Sequence, residues 1–156
     1  MTTTATKVET KWETKKTQEV TSHMFAAVYH AANEVLSKLG TKAQDEFDTL
    51  VLKQKAEHYK KLGVKTPLEL VKAIAEHDHN VFGSKIEISG DDKKATLKFN
   101  SCGMWEASQK IAKLTPEQEK IQGERCTNNM AHFAKEFGFN FEPKHSDDSY
   151  EMTFSK

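Results

Sequence analysis

Cys102 and Cys126 carry the most reactive side chains of this 156-residue sequence, and Cys102 stands where a helix start can activate a thiol. It follows a strand-like run ending in Phe99 and precedes a helical pattern that opens with Gly103, Met104 and Trp105. Unsatisfied N–H groups and the helix dipole favour a thiolate at such a junction, so the Cys102 pKa should fall. A thiol of that kind suits a nucleophile, a metal ligand or a covalently lipidated cysteine; the plainer reading is a small buried apolar side chain. Gly103 would let another group approach the backbone closely. Cys126 shares a stripe with Met130, Phe133 and Phe137 at i, i+4, i+7 and i+11, which is first of all a core spacing. It gains a functional meaning only if it faces Cys102.

His58 is the most informative of the seven histidines. With Gln54 it falls mid-stripe among Phe47, Val51 and Leu62, and burying two polar side chains costs free energy unless both are hydrogen-bonded. Either they bond each other and the backbone, or they line a pocket, in which case His58 is the general base. His23, His30 and His132 fall off the apolar stripes and are expected in solvent. Glu76-His77-Asp78-His79-Asn80 offers ligand-type side chains, but positions i and i+2 of a helix do not face each other, so no metal site is assigned. Trp105 and Met104 fit a pocket wall as well as a core.

These residues need elements to hold them. The first helix is expected from about Thr21 to Leu39, burying Met24, Phe25, Val28, Tyr29, Ala32, Val35, Leu36 and Leu39 in one arc, with Gly40 as its stop. A second is expected from about Lys42 to Leu62, with Phe47, Leu50, Val51 and Leu62 inward. Thr66-Pro67-Leu68-Glu69 is a capping box that starts a third, lasting to about His77. The period then changes to two: Ile86 and Ile88, turn residues 89–92, then Leu97 and Phe99 describe a β-hairpin. A short helix from Gly103 to about Lys113 follows. Thr115-Pro116-Glu117-Gln118 caps a longer one ending near Phe137, which Gly123 is expected to break or bend. Phe139 and Phe141, then Tyr150, Met152 and Phe154, predict a second hairpin around residues 143–149. Helices and strands are segregated, so the class is α+β: three helices, a hairpin, two helices, a hairpin, with helices on one face of an antiparallel sheet. Residues 1–20, rich in Thr, Lys and Glu, read as a flexible arm that Val8 and Trp12 could dock; residues 21–156 read as one domain.

Composition narrows the classes. The 23 basic and 23 acidic residues cancel, so nothing in the charge balance points to nucleic acid. No apolar run approaches the roughly 20 residues of a membrane span, and the N-terminus shows no signal region. Two cysteines are too few for a disulfide framework, which points to a cytoplasmic protein with free thiols, a single disulfide between them staying open. Glycine-rich phosphate loops, nucleophile elbows and zinc-protease helices are missing, and no cofactor is named by any motif.

Two resemblances sharpen these expectations. The order of elements over about residues 20–156 is similar to the small-molecule-binding domain of 4-vinyl reductase-type proteins and TRAPP transport-particle subunits. Closer to the letters, residues 62–88, 95–107, 123–129 and 136–142 resemble the L-2-amino-thiazoline-4-carboxylic acid hydrolase-like family. That group has a lead like Asn80-Val81-Phe82-Gly83-Ser84 into its first strand, a Cys followed by Trp as in Cys102 and Trp105, and a later cysteine, here Cys126. It often has Pro where this chain has Gly103, and a third cysteine that this chain lacks.

Three functional readings follow. The first is a module binding a small apolar or heterocyclic ligand in a pocket near Cys102, Cys126, Trp105, Gln54, Gly103 and Met130. The second, implied by the resemblance, is a hydrolase of a small heterocyclic or amide-like substrate, with Cys102 as nucleophile or metal ligand and His58 as base. The third is an adaptor that forms a homodimer through its helices without a ligand. The missing third cysteine favours binding over hydrolysis.

Overall fold

Punctuation in the sequence becomes structure almost one for one. The computed structural model describes residues 12–146 and 149–156. Five helices and four strands follow in the order α1 (Thr14–Leu39), α2 (Thr41–Lys61), α3 (Pro67–Phe82), β1 (Lys85–Gly90), β2 (Lys94–Ser101), α4 (Gly103–Ile111), α5 (Pro116–Glu136), β3 (Asn140–Ser146) and β4 (Ser149–Ser155). Both capping boxes form: the Thr66 and Thr115 side chains accept from the N–H groups of Glu69 and Gln118, whose side chains accept from the cap N–H groups in return. Each cap contributes about 1 kcal/mol against an alanine.

Helix α3 runs past the expected stop at His77 to Phe82. Gly83 ends it at φ +71°, in the left-handed region, with its N–H donating to the His79 carbonyl and the Ser84 N–H to that of Asp78. Helix α5 continues unbroken through Gly123. Helix α1 begins at Thr14, a few residues before the expected Thr21 and inside the segment read as an arm; Val8 lies outside the described residues.

The sheet is antiparallel in the order β1-β2-β4-β3, so each local hairpin supplies one edge and one central strand. Across the centre Ala95 pairs with Phe154, Leu97 with Met152 and Phe99 with Tyr150. Ser146 pairs with Ser149, so residues 143–146, expected as turn, belong to β3. Ala95, Leu97, Phe99, Met152 and Phe154 are buried beneath the helices. Thr96, Lys98, Glu151 and Thr153 alternate to the other face, where Lys144 and Glu151 pair across strands. The expected α+β class and its single helical layer are what the chain adopts. Leu70, Val71 and Ile74 of α3, Tyr59 of α2 and Phe133 of α5 complete the core, each burial stabilising by roughly 1.5–3 kcal/mol.

Two helices face differently from expectation. On α1 the buried residues are Ser22 and Ala26, whereas Val28 and Leu39 of the apolar arc are 66% and 69% exposed. Small side chains at 22 and 26 let α1 lie close against its neighbours. Polar groups on the same inner face find partners, as when Gln18 Nε2 donates to the His79 carbonyl at 2.9 Å. On α2 the inward line is Asp48, Leu52, Ala56 and Tyr59. His58 and Gln54 are exposed, which corrects the reading that placed them on a buried stripe. One residue along a helix is 100° of rotation, and the buried aromatic ring is Tyr59, not the imidazole beside it.

Candidate functional site

Strand β2 ends at Ser101 and delivers Cys102 in an extended conformation as the N-cap of α4. Its Sγ accepts from the Trp105 N–H at 3.5 Å, so the helix start does meet the thiol. The expected pKa direction is nevertheless reversed. Burial pushes the Cys102 thiol up, outweighing the N–H donors of Trp105 and Met104, with the carboxylates of Asp78 and Glu106 acting in the same direction. Gly103 is approached closely, as its type suggested, but by the protein itself: the backbone of Phe82 occupies the space a Cβ would need. The Gly103 N–H donates to Ser84 Oγ at 3.0 Å, and Ser84 is fully buried. The α3–β1 corner thus clamps the β2–α4 corner and fixes where Cys102 points.

Cys126 comes to the same region from α5. Met130, Phe133 and Phe137 pack on or in the core as the stripe predicted, while Cys126 at its end keeps accessible surface. Its thiol is still pushed up to about 11, first by burial and next by the charge of Cys102. Accessible area and desolvation coexist when a sulfur faces a recess walled by protein rather than open water. Tyr29 and Tyr150 also feel the charge of Cys126, and Asp78 acts on both thiols and on Tyr59. Alkylation of Cys126 by iodoacetamide should therefore be on the order of 100-fold slower near neutral pH than that of an unperturbed cysteine. Its rate should climb until about pH 11. A rate profile levelling near pH 8.5, as for a free thiol, would contradict this environment.

Sequence reasoning missed three features. The Tyr59 hydroxyl is buried with no hydrogen-bond partner among the described residues, and burial drives its pKa upward. Such a group costs roughly 1–3 kcal/mol when left unsatisfied. The second is an ionic knot joining three helices. Asp48, 6% exposed, accepts from Arg125 Nε at 2.6 Å and Nη2 at 2.8 Å, and from Tyr29 Oη and Asn129 Nδ2 at 3.2 Å each. Arg125 Nη1 donates onward to Asn33 Oδ1 at 2.9 Å. Burial, with Asp48 next, pushes the Tyr29 hydroxyl up to about 12, so it stays a donor. The third is a groove of about 620 Å³ between α5 and β3, lined by Gly123, Thr127, Pro143 and His145 among others. The His145 ring stacks on Tyr150 at 4.4 Å, and the Thr127 and Tyr150 hydroxyls lie 3.2 Å apart.

Of the residues expected to form a site, Cys102 and Cys126 lie near enough for the charge of one to act on the other, Gly103 and Trp105 adjoin Cys102 at the start of α4, and Met130 packs on the core from α5. His58 and Gln54 remain on the outer surface of α2. His77 and His79 turn to separate partners, Asp78 at 2.7 Å and the Ser84 carbonyl at 3.0 Å. No described helix is long and apolar enough to cross a membrane. Set beside known proteins, the chain matches no family model and no curated protein.

Proposed function

We propose that the chain is a small-molecule-binding domain whose ligand sits against Cys102, Cys126 and Met130 and hydrogen-bonds the Tyr59 hydroxyl. The observation that carries this reading is the unpartnered, buried Tyr59 hydroxyl, which shares the field of Asp78 with both thiols. A buried donor without a partner is an expense that a ligand acceptor removes. The surroundings suit an apolar or heterocyclic body: a thioether, two protonated thiols and aromatic rings are soft and weakly hydrated.

Binding is favoured over thiol catalysis by the raised Cys102 pKa and by the exposed position of His58. A nucleophile needs its thiolate near neutral pH and a base within hydrogen-bond reach. The resemblance to the hydrolase-like family agrees with a ligand site at these cysteines.

Native mass spectrometry of gently purified protein, beside a denatured sample, tests the reading. The native chain should carry additional non-covalent mass. Tyr59→Phe should shed that mass while unfolding at an equal or higher urea concentration, because it removes an unpaired hydroxyl and keeps the ring against Phe133. A bare native chain, or a Tyr59→Phe protein that holds the mass as tightly, sinks the proposal.

A further inference from the structure

The apolar residues of α1 are on the wrong side of the helix for a lone chain. Its inner face is Gln18, Ser22, Ala26, Tyr29 and Asn33, which meet the rest of the fold through small or polar atoms and, at Tyr29, a ring tilted against Phe47. Its outer face carries Met24, Val28, Val35 and Leu39, between 58% and 69% exposed, with Phe25 at its margin, half-exposed and packed edge-on to Phe82 of α3. At 100° per residue, Met24, Val28, Ala31, Val35 and Leu39 form one ridge about 80° wide. No described element covers it: α2, α3 and α4 pack against α1 elsewhere.

We infer that this ridge is a homodimer interface, in which α1 of a second copy packs antiparallel across it about a two-fold axis at Ala31 and Ala32. The spacing of the ridge is palindromic about that point. Antiparallel pairing sets Met24 of one copy against Leu39 of the other, Val28 against Val35, and Ala31 against Ala32. Large side chains meet large ones at the ends, and alanines at the crossing let the two backbones come close. An isologous contact requires this self-complementarity.

Charge and area both fit a second copy. In the antiparallel register Lys38 meets Phe25, and Glu34 falls opposite position 29, whose tyrosine turns inward to Asp48, so no like charges oppose each other. A parallel register would set Glu34 against Glu34 and Lys38 against Lys38, which repel. The five exposed side chains offer roughly 500 Å² of apolar surface, well over half of the ~800 Å² each partner gives to a standard interface. A patch of this size is at the upper end of what monomers expose. Thr21, Glu34 and Lys38 flank the ridge as a polar rim.

Sedimentation equilibrium of the full chain at about 100 µM should give twice the 17.7 kDa chain mass. The V28K/V35K double variant should halve that mass while keeping the circular dichroism spectrum and urea midpoint of a folded chain, since neither residue supports the core. Register is read by disulfide crosslinking: M24C protein mixed with L39C protein should link, and neither should link to itself. A monomer at that concentration overturns the inference, including the case where deleting residues 1–11 then permits dimers, which would make that segment the occupant. A dimer that V28K/V35K leaves intact, or M24C chains that link to one another, overturns it as well.

Discussion

Asp48→Ala should cost the fold about 3–5 kcal/mol, read as a fall in the urea midpoint followed by circular dichroism. Truncation leaves the Arg125 guanidinium, whose side chain is only 25% exposed, facing Asn33 alone. The Tyr29 and Asn129 donors lose the same acceptor. The loss comes from stranding these groups, not from the intrinsic worth of an ion pair, because two desolvated charges roughly offset their own attraction. Replacing both partners, Asp48→Leu with Arg125→Met, should therefore recover most of the stability that the single change removes. Against a total of about 5–15 kcal/mol for a domain, the single variant would sit near the edge of folding. A loss below about 1 kcal/mol would mean that water already satisfies the knot.

Gly103→Ala should be nearly as damaging, at about 3 kcal/mol or more. The added Cβ would overlap the carbonyl oxygen and carbon of Phe82, which are backbone atoms that cannot swing aside. Relief requires α4 to separate from the end of α3, which breaks the Gly103 N–H to Ser84 bond and loosens the loop carrying Cys102. Faster alkylation of Cys102 should accompany the lower urea midpoint. Gly123→Ala is the matched control of opposite sign. It lies in a helix interior with no atom within 4 Å of the new methyl, so helix propensity should raise stability by up to about 1 kcal/mol. If Gly103→Ala is as stable as the parent, the α3–α4 clamp does not hold Cys102 in place.

These two residues also mark where sequence was readable and where it was not. Element order was legible because its signals are local: two Thr-Pro capping boxes, glycines after the helices, and a change of period from 3.6 to 2. Facing was legible only where apolar meant inward, as for Phe133 and Leu97. On α1 the inward face is made of Ser22, Ala26 and Asn33, so the apolar arc pointed away from the core. On α2 the anchor is a carboxylate whose cation lies 77 positions downstream, a distance no periodicity spans. A usable signal existed, since Asp48 stands in line with Leu52, Ala56 and Tyr59 at helical spacing. At Cys102 the helix start was legible and the sign of the pKa shift was not, because desolvation is a tertiary property.

The order β1-β2-β4-β3 has a consequence for how quickly the chain can reach this state. Each hairpin closes over a short loop and can form within microseconds. The seam between β2 and β4 joins Thr96 to Thr153, 57 positions apart, with α4 and α5 in the intervening loop. Until that seam closes, both hairpins are open-edged ribbons too small to persist alone. Closing that seam is a non-local search whose entropic cost is met before most of the core is buried, which places this chain among the slower folders of its size. During that interval the inner edges of β2 and β4 are the places where a foreign strand could intrude.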